Sequence, residues 1–78
     1  MLLRVETVAG HAGMMEPAAF WLGETRHAVL EIIDRWPAMD RTYFKVTASD
    51  QASYILRHDA ATNTWELTLY NARGFQPG

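Results

Sequence analysis

The chain has 78 residues, 49% of them hydrophobic, with no cysteine and a formal net charge of −2. A domain of this length buries only about 60% of the surface its unfolded chain exposes, so there is room for one core and none for a second. Without cysteine, a disulfide framework, a thiolate nucleophile and a cysteine zinc site are excluded, and the seven basic residues lack the excess that supplies non-specific phosphate binding.

The first segment, "LLRVETV" (2–8), alternates Leu3, Val5 and Thr7 against Leu2, Arg4, Glu6 and Val8, the pattern of a half-buried strand. Arg4 and Glu6 interrupt the apolar run that a signal peptide needs, and no stretch approaches the roughly 20 apolar residues of a membrane span. A soluble, cytoplasmic domain is expected, in keeping with the missing cysteines. Next comes "AGHAGMMEP" (9–17), whose glycines and proline predict a long loop. Its Met14 and Met15 suit either adaptable contacts or a plug over one end of the fold. "AAFWL" (18–22) reads as a short strand stopped by Gly23-Glu24.

"TRHAVLEIIDRWP" (25–37) supports two readings. Val29, Ile32, Ile33 and Trp36 stand at i, i+3, i+4 and i+7, one face of a helix, with Thr25 as a cap and Pro37 as a stop. The β-branched residues favour a strand, and apolar groups on both faces are tolerable where a strand bends through a bulge. Periodicity alone leans to the helix. The closing "ARGFQPG" (72–78) reads as a frayed tail, leaving residues 1–71 as the domain.

"YFKVTASDQASYILRHDAATNTWELTLY" (43–70) is a three-stranded meander. A three-residue loop at Ser49-Asp50-Gln51 pairs Val46 with Tyr54 and Phe44 with Leu56. A two-residue turn would instead place Arg57 in the core, so burial selects the longer loop. The second hairpin sets Leu56 opposite Leu67, His58 opposite Trp65 and Tyr54 opposite Leu69. The core face is then Phe44, Val46, Tyr54, Leu56, Trp65, Leu67 and Leu69. On the outer face Tyr43 lies beside Arg57 and Glu66, and Lys45 beside Ile55 and Thr68.

Residues 16–67 resemble a family of small bacterial domains of unknown function, some standing alone and some at the C-terminus of proteins related to Y-family DNA polymerases. The resemblance is carried by Pro17, Phe20, Gly23, Val29 and Trp36, then "YFKV" (43–46), an Asp-led turn, "YILRHD" (54–59) and Trp65-Glu66-Leu67. It implies an all-β, SH3-like antiparallel barrel of five or six strands and makes 26–36 a strand. The alternative fold is α+β, with a helix at about 25–36 on an antiparallel sheet. In one departure, Gln51 stands where the family pattern has glycine, and a left-handed conformation there costs Gln more than Gly.

His11, Glu16, His27 and His58 match no metal-ligand spacing, and no metal or cofactor is expected. Ser49, Asp50 and Ser53 at a hairpin tip read as turn chemistry, because such side chains bond nearby amides. No catalytic residue is assigned, and the expectation is an interaction module rather than an enzyme. Trp36 and Trp65 are expected in the core. Of Phe20 and Trp21 one must face outward on an alternating strand, and an outward Trp21 would be a binding anchor. With Trp21, the outer-face residues Tyr43, Lys45, Ile55, Arg57 and Tyr70 form the candidate binding surface, unless Arg57 simply pairs with Glu66. A protein partner is expected there, in keeping with the net charge. The alternative is weak binding of single-stranded nucleic acid by a module linked to DNA repair.

Overall fold

The structure, a computed structural model, describes residues 2–10 and 13–71, the last three of these (69–71) by backbone only. His11 and the tail at 72–78 lie outside the described residues. Six strands follow one another: β1 (Leu2–Ala9), β2 (Met15–Leu22), β3 (Thr25–Ala38), β4 (Arg41–Ala48), β5 (Ser53–Asp59) and β6 (Thr64–Asn71). Each pairs antiparallel with the next and β6 returns to β1, closing a barrel. This is the all-β architecture expected, consistent with a small SH3-like barrel. The helical alternative for 25–36 is not what forms.

β3 nevertheless explains its helix-like periodicity. Its pairing with β4 slips once between Val29 and Glu31 and again between Ile32 and Asp34, leaving Leu30 and Ile33 as extra residues. Each bulge inserts one residue, so the strand's period of two becomes three over this stretch. Val29 and Ile32 pack on the core, while Leu30, Ile33 and Trp36 are exposed. Three-residue spacing in a strand mimics the i, i+3 face of a helix.

The core consists of Phe20, Phe44, Val46, Ala48, Ala52, Tyr54, Leu56 and Trp65, flanked by Leu3, Val5, Leu22, Val29, Ile32 and Leu67. Full burial of each large member contributes about 1.5–3 kcal/mol. Trp65 is therefore placed as expected. Trp36 is not: it stands on the outer face, because the bulge at Ile33 shifts the parity of everything after it.

The β4–β5 hairpin has the expected register, Val46 with Tyr54 and Phe44 with Leu56. Its loop is Ser49-Asp50-Gln51. Ala48 N–H donates to Ala52 O (3.0 Å) and Gln51 N–H donates to Ala48 O (2.9 Å), with Gln51 left-handed at φ 71°. In β6 the register departs from expectation. Leu56 faces Leu67 and His58 faces Trp65, but Tyr54 pairs with Tyr70 and Ile55 with Leu69. Thr68 is the inserted residue, and its Oγ1 donates to Ile55 O (3.0 Å), fixing the bulge by a side-chain bond. The expectations that Leu69 lies opposite Tyr54 and Thr68 opposite Ile55 are corrected accordingly.

The loop expected at 9–17 is also shorter, since β2 begins at Met15. Ala18 is an extra residue where Glu6 pairs with Ala19 and Thr7 with Pro17. A bulge is one of the few places in a strand that accepts a proline. β2 pairs with β3 only from Ala19 to Leu22, against Ala28 to Thr25, so β3 continues beyond it joined to β4 alone.

Candidate functional site

On the outer wall, cross-strand neighbours form a row around the barrel: Trp36 beside Tyr43, Tyr43 beside Arg57, Arg57 beside Glu66, and Glu66 beside Leu2. The Trp36 and Tyr43 rings stack almost parallel, 5.6 Å between centroids at 6°. Arg57 donates to Glu66 Oε1, and Tyr43 bonds its guanidinium as well. The hydrogen bond to Glu66, then that to Tyr43, raises the Arg57 pKa, and the same Arg57 bond lowers that of Glu66. The charge at the centre of the expected patch is thus answered from within the sheet.

Lys45 and Ile55 stand opposite one another on the same wall, both half-buried. Tyr43, Lys45, Ile55 and Arg57 are therefore brought together as expected. Tyr70 is placed only by its backbone pairing with Tyr54, and its side chain lies outside the described residues.

Trp21 stands on β2. Phe20 is fully buried and stacks on His27, so Trp21 is the outward member of the pair. Arg4 on β1 and Arg26 on β3 flank it in register, their guanidinium carbons 4.2 and 5.8 Å from its ring centroid. Arg26 also pairs with Glu6 at 3.1 Å, whereas Arg4 has no acidic partner among the described residues. A guanidinium over an indole face is held by the ring quadrupole, worth about 0.5–1 kcal/mol at an exposed site.

Sequence reasoning missed the outer side of β3. Leu30 is 60% exposed, Ile33 48% and Trp36 36%, with Glu31 and Asp34 between them. Asp34 stands opposite Lys45 in the ladder, and its Oδ1 accepts the N–H of Arg35 (2.8 Å). Arg35 itself reaches inward to Glu16 (2.5 Å). The signal was present in Trp36 and Ile33, but a helical reading assigned both to the core.

Asp50, at the β4–β5 tip, accepts from Tyr54 OH at 2.5 Å and from Ala52 N–H at 3.0 Å, with His27 Nδ1 3.4 Å away. Burial raises its pKa, but the Tyr54 and Ala52 bonds and the His27 charge outweigh that and hold it below the ordinary 3.8. Ser49 Oγ accepts from Ala28 N–H (3.2 Å), tying the same tip to β3. These groups secure a turn. The candidate metal residues are dispersed: His27 lies against Asp50, Glu16 against Arg35, and His58 against Asn63 (3.0 Å). Among the described residues no three acids or histidines converge on one point.

No protein-family model, curated protein or solved structure matches the chain.

Proposed function

We propose that the protein is a non-catalytic interaction module that docks a protein partner on the outer wall of β3 and β4. The observation that carries this reading is the apolar ridge of Leu30, Ile33 and Trp36, the last stacked on Tyr43. Large apolar groups left outside a chain with so little core to spare mark an interaction surface, and Trp and Tyr are the preferred anchors of such surfaces. Lys45 and Ile55 extend the face, and Trp21 between its two arginines is a second anchor. The resemblance of residues 16–67 supports a bacterial member of the polymerase-associated family, working in the cytoplasm.

The nucleic-acid alternative loses support from the Arg57–Glu66 pair, which cancels the strongest cation of the expected patch. Glu31 and Asp34 on the adjoining strand repel phosphate as well. Fluorescence anisotropy with a labelled single-stranded oligonucleotide at low salt is expected to show no binding. Salt-sensitive binding lost in Arg57→Glu would replace the protein reading with the nucleic-acid one. For the protein partner, affinity capture compares the wild-type chain with a Trp36→Ala/Tyr43→Ala variant of verified fold. Proteins retained by the first and lost by the second are expected; an identical set from both contradicts the assignment of this face.

A further inference from the structure

β3 carries its exposed groups in an order that has a direction. Arg26 stands near the strand's start, Ala28 follows, and the acids Glu31 and Asp34 alternate with the exposed Leu30 and Ile33 beyond it. A basic group before the exposed apolar residues and acids among them is a pattern that matches itself when one copy is turned end for end. A two-fold axis makes every contact twice, residue i on j and j on i, so a single polarised stripe supplies both halves of an isologous interface.

We propose that a second copy of this chain docks on the outer face of β3, antiparallel to it, with Arg26 of each copy facing Glu31 and Asp34 of the other. This rests on reading β3 as the interacting strand and names the partner. Charge complementarity selects the second copy over other occupants. A parallel alignment would set acid against acid, and a polyanion would meet the same two carboxylates. Other parts of the wall do not offer this match, since Arg57 and Glu66 already satisfy each other. Arg26 is available, because its bond to Glu6 joins side chains that are both about half exposed, 48% and 51%. Such pairs contribute little and exchange partners readily. The contact is face to face. Pro37, the two bulges and the charges along β3 blunt its free edge against strand addition.

The test is the oligomeric state of the full chain by sedimentation equilibrium from micromolar to millimolar concentration. The wild type is expected to rise from 8.9 kDa towards twice that mass. Arg26→Glu alone, and Glu31→Arg/Asp34→Arg alone, each place like charges face to face and are expected to weaken association about tenfold or more. Mixed in equal amounts, these two variants restore both contacts and are expected to form a heterodimer, a result that misfolding cannot produce. Circular dichroism of each variant checks the fold. A wild type that stays monomeric overturns the proposal, as does undiminished association of either variant, or two folded variants that fail to associate when mixed. A monomeric wild type that still captures a partner through Trp36 and Tyr43 defeats this inference alone and leaves the proposed function standing.

Discussion

β3 and the β4–β6 meander use the same residue types to opposite ends. From Arg41 to Leu67 the apolar side chains alternate inward with few exceptions, and Phe44, Val46, Tyr54, Leu56 and Trp65 make up most of the core. In β3 only Val29 and Ile32 reach that core, while Leu30, Ile33 and Trp36 face water. The meander is built for stability. β3 spends its bulges on carrying the chain away from β2 and on turning apolar groups outward. The difference teaches that apolar content alone does not say which strand holds the fold together; the parity of each residue in its ladder does.

The contrast breaks most visibly on truncation. Leu56→Ala, in the fully buried middle of the meander, is expected to lose about 2–5 kcal/mol in urea unfolding. Leu30→Ala is expected to stay within about 0.5 kcal/mol, as exposed positions do. Next in size is the tip that ties the meander to β3. Asp50→Ala removes the carboxylate to which the buried Tyr54 hydroxyl and the Ala52 N–H donate and is expected to cost about 1–3 kcal/mol.

The same carboxylate sets a pH dependence. Its folded pKa lies below 3.8, so its contribution is fully present above that value and is lost as pH falls through the lowered one. Glu66, also lowered, acts in the same sense. Thermal melts are therefore expected to be flat at neutral pH and to drop in acid, less steeply in Asp50→Asn.

How much of this could be read beforehand divides along the same line. The meander's first hairpin was legible because slipping it by one residue would bury Arg57, a penalty the sequence displays openly. The β6 bulge was not, since Thr68 earns its place through a bond to the Ile55 carbonyl, which no hydrophobic pattern records. β3 was legible as apolar and illegible as to side, because two bulges imitate helical spacing. Tyr43, Lys45, Ile55 and Arg57 were grouped correctly by alternation. Trp36 and its ridge were hidden by the parity change at Ile33.

Turn residues give the smallest effects. Gly23 and Met39 both occupy the first position of a two-residue turn with positive φ, 61° and 58°, closing β2–β3 and β3–β4. The first has glycine where the backbone asks for it and the second does not. Met39→Gly and Gln51→Gly are each expected to stabilise by about 1 kcal/mol or less, the relief of a left-handed side chain set against glycine's greater freedom when unfolded. A denaturation midpoint that rises with unchanged m-value checks this.

The central claim is that the bulged apolar residues of β3 belong to the surface and not to the core. Urea unfolding of Leu30→Asp/Ile33→Asp, at protein concentrations too low for self-association, tests it most directly. The account predicts an unfolding free energy within about 1 kcal/mol of the wild type, because neither carboxylate has to leave water. A loss of about 3 kcal/mol or more, the mark of charges forced into a core, would contradict it.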